Sequence, residues 1–411
     1  MSSEGMATLT QRAEWPYGID VDTSTAEILL AATNHDVDTL RRLLQKTSVH
    51  VRDEDAGTTP LHAALLGCEA DEDTHSGVDV EVTTAIPVDS SQEETAVTTM
   101  RCLFENGATW NELDAAGETP GCTALRLGLK RAYGVIVDEG VKAVSLLNRL
   151  DGFERIDDDE IVDDGDGTSD GRSNPETTSS QSGNDDLILA TVTSARPLAS
   201  ELGIGLDRLP IRDTSGRTMS WQTDIMQQSV DHLIIRPGPR VLNIGLGTGI
   251  IDDIFQEQRP SVHHIIHARP EALDRIEKHR WSAIPGVQIY EGLWEDCIQE
   301  LVDQGLTYDA IYFDTTGETY SGLRAFFSAY ATTLLDPNGR FSFLHVLGAD
   351  RQVNYDVYTR IVEMDLLDAN LDTQWFEVPI EGLDAAAESK AARRDRWTLP
   401  LYRLPICTFT R

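Results

Sequence analysis

The sequence predicts two parts: a small all-α domain of repeats, followed by an α/β domain whose mostly parallel sheet carries helices on both faces. Three observations lead to this fold class. Apolar patterns typical of strands and of helices alternate every ~20–25 residues after residue 187, and this alternation requires a parallel sheet with crossover helices. A glycine-rich turn at 245–249 follows the first of these strands, and a repeat-like signature lies at 59–64.

The N-terminal part has the pattern of ankyrin repeats. Short helices are predicted where apolar residues recur at helical spacing, at 26–32 and 37–44. The run TPLHAA at 59–64 closely resembles the ankyrin signature T-P-L-H-x-A. In it, Thr59 is expected to cap a helix, Pro60 to fit its first turn, and His62 to bond back across the loop.

A further helix and a degraded copy of the signature extend the pattern, at 100–108 and 117–124. We therefore expect ankyrin-like repeats over residues 20–150, interrupted at 69–94 by an acidic, Thr/Ser-rich insertion that forms a disordered loop. Stacked repeats either provide a binding surface or only brace the domain that follows. Residues 151–186 are expected to form a flexible acidic linker, because they contain almost no large apolar side chains. Residues 187–411 then form the α/β domain.

The composition restricts the partners. The formal net charge of −35 argues against direct binding to nucleic acid or to an anionic membrane, since either needs a basic patch; basic proteins remain compatible partners. The five cysteines form no C-x-x-C pair, so no metal site is expected. The N-terminus lacks the apolar core of a signal peptide, and no apolar run is long enough for a spanning helix. We expect a monomer in the cytoplasm, the nucleus or both.

The elements of the α/β domain follow from apolar periodicity. Strands are predicted at 241–244, 262–266, 287–290, 308–313 and 339–345. Helices are predicted at 221–236, 250–257, 270–279, 297–301, 323–334 and 354–367. In such a sheet a ligand lies across the carboxyl ends of the first strands. The residues that follow those strands are therefore the candidate site residues.

The first of these is the glycine turn. Gly245, Gly247 and Gly249 let the chain turn sharply and let a ligand touch the backbone. The spacing G-x-G-x-G is the form usual in S-adenosylmethionine-dependent methyltransferases. Another nucleotide-binding protein and a purely structural turn are also compatible with it.

Three later positions are interpreted in the same way. His267 ends the second strand, where methyltransferases usually place an acid that holds both ribose hydroxyls; a neutral histidine would accept from one hydroxyl, or only fill the space. Trp294, after the third strand, offers a ring for adenine, with a solvated capping turn as the alternative. Asp314 ends the fourth strand, where its carboxylate would take a proton from an attacking nitrogen or hold a cationic substrate, or else cap a helix. Glu318 adds a second acid if its loop folds inward.

Together these segments resemble a known family. The runs at 221–226, 241–251, 292–296, 312–315, 348–358 and 401–405 resemble guanidinoacetate methyltransferase and its fungal relative, the arginine N-methyltransferase 2 family of type IV protein arginine methyltransferases. The resemblance implies a Rossmann-like class I methyltransferase domain that uses S-adenosyl-L-methionine. It also implies methylation of the internal (δ) guanidino nitrogen of arginine in proteins, ribosomal ones included.

The resemblance assigns roles to individual residues. Asp314 would face the guanidino group and border the cofactor, with Gln222 beside it; Glu318 remains a candidate only from its place in the loop after the fourth strand. The cofactor site would be lined by Met226, Gly245, Leu246, Gly247, Thr248, Gly249, Ile250, Ile251, His267, Ala268, Arg269, Trp294 and Glu295.

The chain departs from the family around this pocket. Gln222 stands where the family has a glutamate that helps hold the guanidinium, and His267-Ala268-Arg269 replaces Glu-Ala-His. The turn reads LGTG at 246–249 instead of FGMG, and LHVLG at 344–348 replaces FNGLG. Two acids are thus missing from a pocket meant for two cations, and each lost contact costs about 1–3 kcal/mol. Three hypotheses follow: a protein arginine methyltransferase, a divergent paralogue that methylates a small molecule in fungal secondary metabolism, or a catalytically silent ankyrin–methyltransferase scaffold.

Overall fold

The computed structural model describes residues 23–69, 90–154, 220–245, 249–268, 281–314, 320–380 and 399–411. The first two segments are helical: α1 Thr23–Thr33, α2 Val37–Leu44, α3 Pro60–Leu66, α4 Ser90–Glu105, α5 Pro120–Arg126 and α6 Lys130–Glu154. Helix α4 begins inside the range predicted as an insertion loop, and residues 70–89 lie outside the described residues. Helix α6 extends four residues into the predicted linker, to position 154. The rest of that linker also lies outside the described residues.

The two signature copies are joined by a histidine. Nε2 of His62 donates to the carbonyl of Glu118 at 3.2 Å, so Nδ1 is the acceptor for the Thr59 hydroxyl at 2.9 Å. Thr59 is the N-cap residue of α3 by position, but its side chain makes no capping hydrogen bond. That detail of the sequence prediction is wrong, because the hydroxyl is directed at the imidazole. In the second copy Thr119 does cap α5, accepting from the backbone N–H of Cys122 at 3.3 Å.

The second part alternates helices and strands. Its helices are α7 Ser220–Leu233, α8 Ile250–Glu257, α9 Trp294–Asp303, α10 Tyr320–Phe326 and α11 Gln352–Asp368. A π-helical segment, Phe327–Ala331, and a last turn, Thr332–Leu334, continue α10. The strands are β1 Arg240–Ile244, β2 Val262–His267, β3 Val287–Glu291, β4 Tyr308–Phe313, β5 Leu335–Phe343, β6 Leu371–Pro379 and β7 Leu401–Phe409.

These strands form one sheet in the order β3-β2-β1-β4-β5-β7-β6. The first five are parallel, whereas β7 runs antiparallel to both β5 and β6. The predicted mostly parallel sheet is therefore confirmed, and β6 and β7 are additions that the sequence analysis did not assign. The order reverses between β1 and β4, so a crevice opens at their carboxyl ends.

Helices cover both faces of the sheet. On one face α7 and α8 pack on residues such as Val241 and Tyr312; on the other, α9, α10 and α11 pack on residues such as Leu242 and Phe313. This alternation is what buries all of β4 and every residue of β1 after Arg240. The predicted helix 270–279 lies outside the described residues. None of the described helices has the length and apolarity needed to cross a membrane.

Helix α11 connects the two parts of the chain. Val362 and Leu366 belong to the sheet core, while Val353, Val357 and Ile361 belong to the core formed by α1 to α6. The contact is close, since a Cβ atom at Gly121 or Gly140 would lie only 2.7 Å from Val353 or Val357. The N-terminal helices are thus packed directly on a helix of the α/β part.

Candidate functional site

The site begins where β1 ends. Gly245 has φ +92°, a conformation that favours glycine. Its N–H donates to Ile266 of β2 at 2.9 Å, and the N–H of Asp314 donates to Ile244 at 2.8 Å. The carboxyl ends of β1, β2 and β4 therefore lie side by side, with the glycine turn between them.

The turn leads into α8 through a second special glycine. Gly249 has φ +77°, and a Cβ atom there would lie 2.6 Å from the ring of Trp281. Ile250 is half-buried and Ile251 is buried in the first turn of the helix. Leu246, Gly247 and Thr248, the middle of the turn, lie outside the described residues.

A buried polar network lies behind the turn. The side-chain N–H₂ of Asn243 donates to the carbonyl of Gly245 at 3.2 Å and to Oδ1 of Asp252 at 2.8 Å. The same carboxylate oxygen lies 3.2 Å from Nε2 of His263, and Gln256 bonds the other ring nitrogen at 2.6 Å. Burial raises the pKa of Asp252, while His263 and Asn243 act in the opposite direction. Asn243 thus ties the backbone of the turn to the first turn of α8.

Sequence reasoning missed this network. The available signal was a polar residue, Asn243, inside an otherwise apolar strand of the form VLNI. Such a residue needs a buried partner, because an unsatisfied amide in a core costs about 1–3 kcal/mol. The partner, Asp252, lies on the following helix and is fully buried. From the sequence alone, an acid in the first turn of a helix is expected to be exposed to solvent.

His267 ends β2 and is 5 % exposed. Within the described residues, neither of its ring nitrogens has a hydrogen-bond partner. Its carbonyl accepts from the N–H of Gly292 at 2.9 Å, which fixes the end of β2 against the end of β3. Ala268 follows and is exposed, whereas Arg269 lies outside the described residues.

Trp294 and Glu295 begin α9 with opposite environments. Trp294 is 4 % exposed, and its ring centroid lies 5.8 Å from those of Phe313 and Phe326. It therefore stabilises the core below the carboxyl edge, and this burial disfavours the predicted contact of its ring with adenine. Glu295 is exposed in the first helical turn, where its negative charge interacts favourably with the helix dipole.

Asp314 directly follows β4 and is 3 % exposed. Burial raises the pKa of Tyr312 on β4 and of Tyr402 on β7, and the charge of Asp314 raises both further. The carboxylate thus shares its surroundings with two phenols that stay protonated at neutral pH. Glu318 lies outside the described residues. A buried carboxylate of this kind can bind a cation through charge-assisted hydrogen bonds.

Gln222 and Met226 lie four residues apart on α7, hence on the same face of the helix. They are 1 % and 5 % exposed. Helix α7 packs against α8, β4, β5 and β7. The structure therefore buries both residues on the side of the sheet that also holds Tyr312 and Tyr402.

His345, two residues beyond β5, was noted in the sequence only as a departure from the family. It is fully buried and stacks on Tyr355 with ring centroids 4.8 Å apart. The hydroxyl of Thr359 donates to the carbonyl of Tyr355 at 2.7 Å, so Nε2 of His345 must be the donor to Thr359 at 2.9 Å. Burial, followed by the charge of Arg403, lowers the pKa of His345 to about 3. The imidazole is therefore neutral.

Known proteins match this chain along almost its whole length. The family model of guanidinoacetate N-methyltransferase matches residues 215–371. Protein arginine N-methyltransferase 2 of Aspergillus fumigatus is 42 % identical over 96 % of this chain and 98 % of its own length; that of Aspergillus oryzae is 44 % identical over 95 % and 98 %. The chain belongs to the protein arginine N-methyltransferase 2 family. Both the family and the methyltransferase class expected from the sequence are thereby confirmed.

Solved structures with more distant sequences also resemble this family member. A ribosomal protein L11 methylase from Lactobacillus delbrueckii subsp. bulgaricus matches with a TM-score of 0.33 and 12 % identity, over 46 % of this chain and 79 % of that one. The O-methyltransferase TomG from Streptomyces achromogenes matches with a TM-score of 0.34 and 13 % identity, over 47 % and 82 %.

Membership in a methyltransferase family implies S-adenosylmethionine, and the described residues fit such a ligand. Gly245 and Gly249 adopt positive φ, which gives the turn after β1 the sharp course of a loop that binds a nucleotide-like ligand. His267 places two buried ring nitrogens at the end of β2, and a neutral imidazole offers one acceptor for a hydroxyl. The described residues contain no group of three His, Cys, Asp or Glu side chains suited to a metal ion.

Proposed function

We propose that this family member transfers the methyl group of S-adenosylmethionine to the internal (δ) guanidino nitrogen of arginine in a protein substrate. The observation that carries the proposal is the position of Asp314, a buried acid at the end of β4 whose backbone carbonyl and Cβ atom lie against Gly245, the first residue of the glycine turn. The acceptor class is supported by the name of the fungal relatives. Ribosomal proteins are suitable acceptors for a chain of net charge −35, because they are basic.

The cofactor is held by residues that the structure brings to the carboxyl edge, with further contacts from residues outside the described ranges. When bound, S-adenosylmethionine supplies a methyl group activated by a positive sulfur. The glycine turn offers backbone groups, and the N-terminus of α8 adds its dipole. A ring nitrogen of His267 accepts a hydrogen bond from one ribose hydroxyl, where the two oxygens of an acid would accept from both. The remaining proposed contacts are Met226, Leu246, Gly247, Thr248, Ile250, Ile251, Ala268, Arg269 and Glu295, whereas Trp294 supports them from the core.

Asp314 acts on the acceptor. Its carboxylate holds the guanidinium, orients one nitrogen, and takes the proton that this nitrogen must lose. Gln222 is a further proposed contact, a neutral amide that orients the acceptor without adding charge; Glu318, outside the described residues, stays a proposed second acid. Most of the acceleration comes from holding the acceptor in line within a water-poor pocket. The phenols of Tyr312 and Tyr402 stay protonated there.

The test uses the full-length chain, S-adenosylmethionine with a labelled methyl group, and a fungal lysate as the source of acceptors. Wild-type protein is expected to place label in proteins, and acid hydrolysis should release δ-methylarginine. Asp314→Asn should lower the rate at least about 100-fold, while Asp231→Asn, an exposed acid on α7, should match wild type. Transfer that persists in Asp314→Asn would refute the role of the carboxylate.

A second candidate function is methylation of a small molecule. It is favoured by the residues that replace family residues around the pocket, namely Gln222, His267 and His345. Gln222 and His267 stand where the family resemblance implies acids, so the wall carries fewer carboxylates than a site for two cations requires. In the same experiment, label only in the small-molecule fraction would favour this function. Absence of cofactor binding at millimolar concentration in calorimetry would leave the scaffold hypothesis.

We also propose that α1 to α6 form an ankyrin-like unit that recruits the protein substrate. Two Thr-Pro starts, at α3 and α5, and the His62 bond to Glu118 that joins them support a repeat architecture. Leu30 and Leu125 are exposed apolar residues on α1 and α5. Replacing each by Ser should raise KM for a protein acceptor and leave cofactor affinity unchanged; an unchanged KM would assign the unit a bracing role only.

A further inference from the structure

A tyrosine of the N-terminal helices is hydrogen-bonded to the α/β part. The hydroxyl of Tyr133, on α6, donates to Oδ2 of Asp356 on α11 at 2.5 Å. The other oxygen of that carboxylate accepts from Arg403 of β7 at 2.6 Å. Burial, followed by the bond to Asp356, raises the pKa of Tyr133, so the phenol keeps the proton that it donates. One carboxylate on α11 thus joins helix α6 of the first part to strand β7 of the second.

The hydrogen bonds continue from Arg403 to the carboxyl edge of the sheet. Nη1 of Arg403 donates to the hydroxyl oxygen of Thr359 at 3.2 Å. The same oxygen accepts from Nε2 of His345 at 2.9 Å, and the backbone N–H of His345 donates to the phenol oxygen of Tyr402 at 2.9 Å. The last three residues are buried, so water does not compete for their bonds. We call the connected set the polar bridge: Tyr133, Asp356, Arg403, Thr359, His345 and Tyr402.

The polar bridge ends beside the proposed catalytic acid. The N–H of Leu344 donates to the carbonyl of Phe313 at 3.2 Å, and Asp314 is the residue after Phe313. His345 directly follows Leu344, so its bond to Tyr402 fixes the backbone just beyond the end of β5. Tyr402 is also one of the two buried phenols that share their surroundings with Asp314. A hydrogen bond made by α6 is therefore connected to the region around this carboxylate.

A second contact of the N-terminal part reaches the same region. Nη2 of Arg351, the residue before α11, donates to the carbonyl of Gly117 at 3.1 Å, and Gly117 begins the second signature copy. Arg351 also pairs with Asp350, whose Oδ1 accepts from Asn354 in the first turn of α11 at 3.0 Å. The N-terminal part thus holds the segment between β5 and α11 from outside, while the polar bridge holds it from within.

We propose that Tyr133 is a positioning residue for methyl transfer, acting through the polar bridge on the backbone and the phenol beside Asp314. Without its hydrogen bond, His345 and Tyr402 are held less firmly, and the acceptor is aligned less well with the methyl donor. Poor alignment lowers the rate of transfer more than it lowers affinity. The N-terminal helices then contribute to the transfer step itself. The kinetic side of this inference rests on the proposed function.

Two variants of the full-length protein cut the polar bridge at different points. Tyr133→Phe keeps the ring and removes the donor, and Thr359→Val keeps the shape and removes the shared hydroxyl. At a fungal lysate concentration that saturates the wild type, each should lower the rate of label transfer to protein roughly 3–30-fold. The half-saturating lysate concentration and the Kd for S-adenosylmethionine should stay unchanged. Wild-type rates in both variants, or an effect on half-saturation alone, would overturn the proposal.

The double variant tests whether the two residues act through one connection. It should be no slower than the slower single variant, because the second substitution falls on a bridge that is already broken. Losses that multiply would mean that Tyr133 and Thr359 act independently, against the proposal. Thermal unfolding shows whether each variant is folded.

Arg360→Gln is the matched control. It removes another polar link between α6 and α11, the pair with Asp138 at 2.5 Å, in which both side chains are more than half exposed. This pair is not part of the polar bridge, so the variant should transfer label as wild type does. A loss equal to that of Tyr133→Phe would show that any weakening of the contact between the two helices is sufficient, and the polar bridge would have no special role.

Hydrogen exchange separates a failure of this inference from a failure of the proposed function. Mass spectrometry of the peptide that contains His345 reports on the N–H bonded to Tyr402 and requires no methyl transfer. Tyr133→Phe should make this exchange roughly 3–30-fold faster, and Arg360→Gln should leave it unchanged. If wild type labels no protein, the proposed function fails, yet faster exchange still supports the connection through the polar bridge. Unchanged exchange in Tyr133→Phe would overturn the inference whatever the activity.

Discussion

Gly245 and Asp314 are in contact across the carboxyl ends of β1 and β4. A Cβ atom at Gly245 would lie 3.0 Å from the carbonyl oxygen of Asp314 and 3.1 Å from its Cβ atom. The backbone N–H of Asp314 is held in turn by Ile244 at 2.8 Å. The first glycine of the turn thus sets the position of the proposed catalytic carboxylate as well as the path of the chain.

Gly245→Ala should damage the site and the fold together. The positive φ costs an alanine about 1–2 kcal/mol, and the contact with Asp314 displaces the carboxylate. We expect cofactor affinity and transfer rate to fall at least tenfold, measured by calorimetry and by label transfer. Gly238→Ala is the control, because Gly238 also has positive φ but no atom within 4 Å of the added methyl group. Equal effects of the two variants would show that backbone strain alone is responsible.

Asn243→Ala should destabilise the glycine turn by removing a buried hydrogen bond to its backbone. The substitution removes the donor that joins Gly245 to Asp252 and leaves a buried carboxylate with fewer partners. We expect the free energy of unfolding to fall by about 2 kcal/mol and the Kd for the cofactor to rise, as measured by urea denaturation and calorimetry. Asn338→Ala, at an exposed position of β5, should change neither quantity. A loss of stability with unchanged cofactor affinity would mean that the network supports the core and not the turn.

The strands and helices with strong apolar periodicity were predictable from the sequence. Strand β4 and helix α8 have the predicted bounds. The antiparallel pair β6 and β7 was not predicted, because its partners are separated by about twenty residues and pairing across such a gap leaves no local pattern. The predicted helix at 323–334 contains a π-helical segment at Phe327–Ala331, a change of hydrogen-bond register that side-chain spacing does not reveal.

The positions of the candidate site residues were predictable only in part. The ends of parallel strands meet at one edge, so Gly245, His267 and Asp314 could be placed there from strand order alone. The burial of these residues could not be predicted in this way. Trp294 also follows a strand, yet its ring packs against Phe313 in the core. Tertiary packing decides which face of a ring is covered. The spacing of residues along the chain carries no information about that packing.

Acid should weaken the fold through two buried histidines. Burial, followed by the charge of His263, lowers the pKa of His264 to about 4, and burial lowers that of His345 to about 3. Both stay neutral in the folded state, whereas in the unfolded chain they bind a proton below about pH 6.5. Their stabilising contribution is therefore complete above pH 6.5 and falls as the pH drops from there towards 4 and 3.

The loss should reach about 1.4 kcal/mol per pH unit for each histidine and can be measured by urea denaturation between pH 7.5 and 5. His345→Asn removes one of these titrating groups and keeps a polar side chain at that position. Its free energy of unfolding should depend on pH less steeply than that of wild type over this range. An unchanged slope would mean that His345 takes up its proton in the folded state as well.

The packing of α6 on α11 gives a matched pair of glycines on one helix. Gly134 and Gly140 both lie inside α6, so replacing either by alanine favours the helix by about 0.5–1 kcal/mol. At Gly134 the added methyl group has no atom within 4 Å, and Gly134→Ala should raise the free energy of unfolding by that amount. At Gly140 it would lie 2.7 Å from Val357 and 3.1 Å from Trp110.

Gly140→Ala should therefore push α6 away from α11 and lower stability by about 1–3 kcal/mol, the usual cost of overpacking. Helix α11 also packs on the sheet through Val362, so it should stay in place when α6 moves away. We therefore expect the N-terminal helices to detach first and thermal unfolding to show two separate transitions. Double replacement with Val357→Ala makes room for the new methyl group and should recover most of the loss. If Gly140→Ala instead stabilises the chain as Gly134→Ala does, the two parts do not pack as closely as this contact requires.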